Sequence, residues 1–259
     1  MRRTELFALA LVVACFPVLA RAQQPTITGV DFGDQPGVLF VPVHKVAGEL
    51  GLSITGNSRH FAINGHEVKQ FRQLFDGTKL IPLRTVKDLG GTVEWDPALA
   101  QAKITVGTHQ AFVKAGVKRA VVNKQAQQLR AYQGDLLVLE TRVSTGRKGH
   151  ATPAGDFAAS RKERLHLSSL YDDSPMPYAV QIHGNIFVHG FTSVPRYPAS
   201  HGCVRMPMWG KNPARWFYSW ISVGTPVIVA NAWPASETDH TAMNNVSGAR
   251  AIGVSAVKH

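Results

Sequence analysis

Residues 188–206 read VHGFTSVPRYPASHGCVRM, the most distinctive stretch of the chain. His183 lies just before it, so that three histidines and Cys203 fall within 21 residues. A free cysteine has a pKa of about 8.5 and is mostly thiol at neutral pH, and a neighbouring imidazole or cation makes it a thiolate nucleophile. The stretch therefore predicts a nucleophilic Cys203 with His189 or His201 as its partner.

Two glycines and an arginine in the same region have predicted roles of their own. Gly190 and Gly202 have no side chain, so a substrate can approach the backbone closely at these positions. Backbone N–H groups there can then point at a substrate oxygen. Arg205 follows Cys203 by two residues, so that in a strand both side chains lie on one face. There the guanidinium can hold a substrate carboxylate. His183 is more simply explained as a hydrogen-bonded structural residue, and its role stays open.

Outward from this stretch, residues 117–230 read as a series of short strands. Residues 120–122 and 128–132 alternate around a polar turn, as in a β-hairpin. Residues 212–213, Asn-Pro, predict the start of one late helix, and 225–229 a closing strand. Many short strands with one late helix predict a mainly β domain of the sandwich or barrel-like type.

The preceding segment, residues 31–107, contains a weak internal repeat. Residues 40–46 align with 80–86, forty residues later, and Gly51 and Gly91 share the same offset. Each copy has an apolar strand start, a proline, a short helical pattern and a glycine stop. The repeat predicts a small α+β domain in front of the β domain.

Composition indicates a globular protein with a basic surface. The 259 residues are 44% hydrophobic and 17% charged, with a formal net charge of +11. The basic residues are scattered and form no block of five, which disfavours nucleic acid as a partner and suits an anionic wall or membrane surface. No apolar run reaches ~18 residues, so no membrane span is predicted. The polar residues 234–259 predict a disordered tail.

The N-terminus predicts export. Two arginines at 2–3 precede the mostly apolar residues 6–19, and Ala-Arg-Ala at 20–22 fits a signal-peptide cleavage site, so residues 1–22 are predicted to be removed. A lipoprotein-type cleavage before Cys15 is the less favoured alternative. Removal of the leader leaves Cys203 as the one cysteine, unable to form an intramolecular disulfide.

These motifs carry a resemblance to a known family. Residues 117–230 resemble the L,D-transpeptidase catalytic domain of the YkuD type. The resemblance rests on Ser-His-Gly-Cys-Val-Arg-Met at 200–206, His-Gly at 189–190, Val-Ser-Thr-Gly at 143–146, Thr-Pro-Ala-Gly-Asp-Phe at 152–157 and Met-Pro-Tyr at 176–178.

The resemblance implies a role for each site residue. Cys203 is implied as the nucleophile and His189 as the general base, its second ring nitrogen held by a backbone carbonyl. His201 and Gly202 belong to the turn that shapes the oxyanion site. The implied substrate-binding residues are Arg205, Ser200 and Tyr178.

The resemblance also implies the substrate class. Cys203 attacks the peptidoglycan stem tetrapeptide at the diaminopimelate–D-Ala bond, forms a thioester, releases D-Ala and passes the acyl group to an amine. That amine belongs to a second stem or to an anchored lipoprotein; carboxypeptidase action and D-amino-acid exchange use the same site and stay open. No cofactor is implied, and carbapenems are implied as acylating inhibitors. The expected location is the periplasm or cell wall.

Residues 82–96, with Pro-Leu-Arg and Gly-Gly-Thr-Val-Glu-Trp-Asp, resemble the N-terminal-like module of copper amine oxidases. That likeness implies binding or spacing, and neither chemistry nor copper.

Two functions of other classes remain as alternatives. A zinc site could use His183, His189, His201 or Cys203, although their spacing matches no metal motif. A non-catalytic wall-binding protein would function through its first domain. Within the enzyme hypothesis, residues 161–178 are expected to form a mobile loop over the thiol that contributes Tyr171 or Tyr178.

Overall fold

The computed structural model describes residues 25–57 and 59–235. The predicted leader 1–22 with Cys15, and all but the first two residues of the predicted tail 234–259, lie outside the described residues. No helix in the described part of the chain is long and apolar enough to cross a membrane.

The first unit combines a seven-stranded sheet, a small three-stranded sheet and two short helices. Its strands are β1 (Thr26–Phe32), β2 (Gln35–Pro42), β3 (Ile54–Gly56), β4 (Phe61–Ile63), β5 (His66–Glu67), β6 (Arg72–Gln73), β7 (Lys79–Pro82), β8 (Thr92–Asp96), β9 (Gln101–Val106) and β10 (His109–Ala115). Its helices are α1 (Val43–Leu50) and α2 (Thr85–Asp88). The large sheet has the order β6-β7-β2-β1-β10-β9-β8, and β3-β4-β5 form the small one. The large sheet extends beyond the predicted limits 31–107 at both ends.

The internal repeat of the sequence is visible as a pair of neighbouring strands. β2 and β7 pair antiparallel with Val41 opposite Ile81, which are equivalent positions of the two copies. Each strand ends in the repeated proline, after which the chain turns into α1 or towards α2. The first copy makes a two-turn helix that ends at Gly51 in the left-handed conformation (φ 65°). The second makes a helix of only four residues.

The second unit is mainly β with one late helix, as predicted. Its elements are β11 (Lys118–Asn123), β12 (Gln128–Gln133), β13 (Leu136–Arg142), β14 (Gly155–Ala158), β15 (Arg161–Leu167), β16 (Pro175–His183), β17 (Ile186–Phe191), β18 (Val204–Pro207), α3 (Pro213–Trp220) and β19 (Pro226–Ala230). One sheet has the order β13-β12-β11-β19-β14 and the other β15-β16-β17-β18. Apolar side chains of both sheets and of α3 share one core, including Val122, Leu129, Val188, Val204 and Trp220.

The expected loop at 161–178 is largely wrong. Its residues form the hairpin β15–β16, and only the short connection 168–174 lies outside the strands. The Ser, Asp and Pro content that suggested a loop is concentrated in and beside that connection. The charged residues before this connection form an exposed strand. Such a strand does not need alternating apolar and polar residues.

The two units pack against each other through a shared core and a polar network. Phe32 and Phe40 of the first unit join the core of the second. The buried Lys118 ammonium donates to the Asp31 carboxylate at 2.7 Å and to the Trp220 carbonyl at 2.9 Å. Lys162 donates to the next carbonyl, Ile221, at 2.6 Å. Both lysines thus sit at the C-terminal end of α3, where the helix dipole favours positive charge.

Candidate functional site

The pairing of β17 with β18 brings the predicted nucleophile and base together. The two strands are parallel, with His189 opposite Arg205, and Cys203 directly precedes β18. Because side chains alternate along a strand, Cys203, Arg205 and His189 share one face of the sheet. Val188 and Val204 point to the other face, into the core. Residues 192–203, which link β17 to β18, are therefore a crossover between adjacent parallel strands.

Cys203 lies where two cavities meet. The first, of about 170 Å³, is lined by residues that include His189, Arg205, Ser200, His201, Phe191 and Tyr171. The second, of about 110 Å³, is lined by residues that include His166, Asn185, Ile186, Phe187, Leu170 and Tyr171. Both cavities include Cys203 and His201 in their walls. Cys203 thus belongs to the wall that the two adjoining cavities share.

His189 is built as a neutral proton acceptor. Its side chain is buried, and its Nδ1 donates to the Gly190 carbonyl at 2.9 Å, which fixes the tautomer and leaves Nε2 with its lone pair. Burial, assisted by the nearby charge of Arg205, lowers the pKa of His189 to about 4, although the hydrogen bond to Gly190 acts in the opposite direction. At neutral pH His189 is therefore an uncharged base.

This lowered pKa predicts a stability change with pH. Between the ordinary value of 6.5 and about 4, the unfolded chain binds a proton at His189 and the folded protein does not, so stability falls as the pH falls through that window. The contribution at pH 4.5 is about 2 kcal/mol. Between pH 7 and pH 4.5, we expect the free energy of unfolding of His189→Gln to fall by about 2 kcal/mol less than that of the wild type. Urea unfolding at the two pH values measures this difference. Equal losses in both proteins would contradict a buried, neutral His189.

The thiol of Cys203 is protonated at rest. Partial burial raises the pKa of the Cys203 thiol, and a hydrogen bond with the Phe187 backbone and the positive charge of Arg205 oppose this rise. Its Sγ lies 3.6 Å from the Asn185 carbonyl oxygen, to which the S–H donates. The resting site thus holds a neutral thiol and a neutral imidazole, and nucleophilic attack requires proton transfer between them.

The turn before Cys203 is held by hydroxyl groups. The Ser200 hydroxyl accepts from the Gly202 N–H at 3.1 Å and donates to the Cys203 carbonyl at 2.5 Å. The Thr152 hydroxyl donates to the Gly202 carbonyl at 2.7 Å and accepts from the Gly146 N–H at 2.8 Å. Gly202 has φ 118°, a conformation that favours glycine. Ser200 lines the first cavity, but its hydroxyl is engaged within the turn.

His201 forms a wall of both cavities. Its Nε2 accepts a hydrogen bond from the Arg147 guanidinium at 2.7 Å, and its ring lies 4.7 Å from that of Tyr171. Desolvation and the neighbouring charge of Arg147 lower the pKa of His201. Sequence reasoning did not single out Arg147, which adds a cation beside His201.

Three predicted or considered residues lie outside both cavities. Gly190 faces the core, where a Cβ would lie 2.8 Å from Met208 side-chain atoms, so its glycine serves packing and its carbonyl orients His189. Tyr178 packs against the core, with its ring 6.0 Å from that of Tyr218. His183 stacks on Phe157 at 4.9 Å. The structure brings Tyr171, instead of Tyr178, to the thiol.

Arg205 is placed as expected for a group that binds an anion. Its guanidinium lies 4.1 Å above the Phe191 ring, on the wall of the first cavity. The Phe191 ring orients the guanidinium by a cation–π contact. This contact uses the flat face of the guanidinium and not its N–H donors.

Within residues 25–57 and 59–235, no three His, Cys, Asp or Glu side chains are close enough to hold a metal ion together.

Comparison with known proteins gives two family matches. Residues 117–229 match the family described as L,D-transpeptidase catalytic domain, and residues 62–133 the family described as copper amine oxidase N-terminal domain. No curated protein matches the chain.

Solved structures with similarity to the chain include three L,D-transpeptidases. The enzyme from Stackebrandtia nassauensis is 26% identical, with a TM-score of 0.41; the match covers 46% of this chain and 57% of that one. The enzyme from Xylanimonas cellulosilytica is 27% identical, with a TM-score of 0.40, over 45% and 62% of the two chains. The enzyme from Mycobacterium smegmatis is 19% identical, with a TM-score of 0.41, over 82% and 96%. The chain thus spans less than two thirds of the first two.

These structural likenesses are distant, and the assignment rests on the family matches and the motifs. The match to the L,D-transpeptidase catalytic domain of the YkuD type thus covers the second unit, and the match to the copper amine oxidase N-terminal domain covers part of the first unit and the start of the second.

Proposed function

We propose that the protein is an exported peptidoglycan L,D-transpeptidase with Cys203 as its nucleophile. The observation that carries this proposal is the pairing of a thiol with a buried, neutral His189, both on the wall of one cavity. A neutral imidazole with a free Nε2 is the form that a general base requires at neutral pH. The substrate is the stem tetrapeptide, attacked at the diaminopimelate–D-Ala bond.

Acylation moves one proton through His189. As Cys203 Sγ attacks the carbonyl, its proton passes to His189 Nε2, and then to the D-Ala nitrogen as the C–N bond breaks. D-Ala leaves and a thioester remains. The Gly202 N–H is engaged by Ser200, so we assign the oxyanion to the Cys203 N–H. Neither a metal nor a nucleotide is needed for these steps.

We assign the donor and the acceptor substrates to different cavities. Arg205 binds a carboxylate of the donor stem in the first cavity, beside His189. The second cavity, which also has Cys203 in its wall, admits the acceptor. An amine on a second stem gives a cross-link, an amine on a lipoprotein gives attachment, and water gives a carboxypeptidase.

The remaining parts of the chain fit an exported wall enzyme. Residues 1–22 act as a cleaved signal peptide, and the net positive charge of the remaining residues attracts the protein to an anionic wall. We assign binding or spacing to the first domain, and the periplasm or cell wall as the location.

The decisive experiment is product analysis on a defined substrate. Purified protein with diaminopimelate-containing disaccharide tetrapeptide is expected to release D-Ala and form a dimer, detected by mass spectrometry. The matched control is the same preparation after alkylation with iodoacetamide, which is expected to do neither. D-Ala release without dimer would indicate a carboxypeptidase, and no release from either sample would reject the proposed function.

A further inference from the structure

A second histidine shares a cavity wall with the thiol. His166, on β15, lines the second cavity together with Cys203, and is not part of the first. His189 lines the first cavity together with Cys203 and is not part of the second. The two imidazoles therefore line different cavities that both include Cys203.

The His166 ring is fixed in position and tautomer. Its Nδ1 lies 2.9 Å from the Glu163 carboxylate, which can only accept, so Nδ1 carries the hydrogen. The other Glu163 oxygen accepts from Arg161 at 2.7 Å. The ring also stacks on Phe187 at 4.6 Å with an interplanar angle of 22°. In the neutral form these contacts leave Nε2 as a proton acceptor, oriented by a carboxylate.

We propose that the Glu163–His166 pair is the general base for the acceptor amine in the second half of the reaction. This rests on the proposed function, because it needs a thioester on Cys203 and an amine that resolves it. Phe187 links the two groups, because its ring stacks on that of His166 and its backbone contacts the Cys203 sulfur. An amine in the second cavity enters a space whose wall includes both His166 and Cys203.

The step balances without a further reactant. The acceptor, as the free amine, attacks the thioester carbonyl; a C–N bond forms, the C–S bond breaks, and the nitrogen loses one proton. His166 Nε2 takes this proton and passes it to the departing Cys203 sulfur. Both residues return to their resting forms, and His189 stays available for the next acylation.

The test separates acylation from transfer. In His166→Phe the phenyl ring can still stack on Phe187, but it cannot accept a proton. We expect D-Ala release in the first turnover to stay within about 2-fold of the wild type. Dimer formation should fall at least about 10-fold, within the range for loss of a general base, and the thioester should accumulate in the intact mass. Glu163→Gln should show the same split to a smaller extent.

The control and the contradictory outcomes are equally defined. His183→Phe changes a histidine that stacks on Phe157 outside both cavities, and should leave both steps unchanged. Wild-type dimer formation by His166→Phe would overturn the proposal, as would an equal loss in both steps, which indicates a structural role. If the wild type itself releases no D-Ala, the proposed function fails and this inference with it.

Discussion

A Cys203→Ala protein is expected to fold and to release no measurable D-Ala from the stem tetrapeptide. The change removes the sulfur that forms the thioester, and no other cysteine exists among the described residues. Loss of a catalytic nucleophile costs about 10⁴-fold or more in turnover. The side chain is only partly buried, so removal of one sulfur atom leaves little cavity and the unfolding midpoint should change little.

Cys203→Ser sharpens this test because serine keeps the shape of the side chain. A hydroxyl beside a neutral imidazole is a weaker nucleophile than a thiol, so its activity should also fall to background. A carbapenem should add its mass to the wild type and to neither variant, measured on the intact protein. D-Ala release by Cys203→Ala at the wild-type rate would place the chemistry elsewhere in the molecule.

Gly146→Ala is expected to cost about 3 kcal/mol of stability and most of the activity. A Cβ at this position would lie 1.9 Å from the His150 carbonyl oxygen and 2.6 Å from the Thr152 backbone nitrogen. Both contacts are with backbone, which cannot move aside as a flexible side chain can, and overpacking of this kind costs roughly 1–3 kcal/mol or more. The Gly146 N–H also holds Thr152, whose hydroxyl supports the Gly202 carbonyl. A shift of Thr152 would therefore disturb the turn before Cys203.

The matched control for this prediction is Gly48→Ala. Gly48 is exposed on α1, and a Cβ there meets nothing within 4 Å. Alanine in a helix is favoured over glycine by about 0.5–1 kcal/mol, so this variant should gain stability and keep its activity. Unfolding midpoints and D-Ala release are measured for both variants. A Gly146→Ala protein as stable and active as the wild type would show that the turn is not tightly constrained.

Local sequence signals were sufficient for the late helix and for the face that Cys203 and Arg205 share. The late helix begins where Asn212 and Pro213 predict, with the Asn212 side chain accepting from the Arg215 N–H. The strand at 204–207 places Cys203 and Arg205 on one face, as their spacing predicts. These features depend on neighbouring residues, whose preferences can be read directly.

The supporting residues depend on contacts that local patterns do not carry. Arg147 meets His201 across 54 residues, and Thr152 meets Gly202 across 50. Glu163 and His166 are three residues apart, a spacing that places side chains on opposite faces of a regular strand, so their contact had no sequence signal. Tyr178 was misplaced because the tertiary packing of β16 turns it to the core.

The parallel pairing of β11 with β19 determines when this domain can assemble. Val121 lies opposite Ile228, so the first and last strands of the second unit are neighbours, and β19 alone joins β14 to the rest of its sheet. Such distant pairing slows folding, because the chain between the strands must be ordered before they meet. A chain that emerges N-terminus first therefore completes this sheet only when its last strand arrives. Truncation before residue 226 would remove β19 and with it the strand that pairs with both β11 and β14.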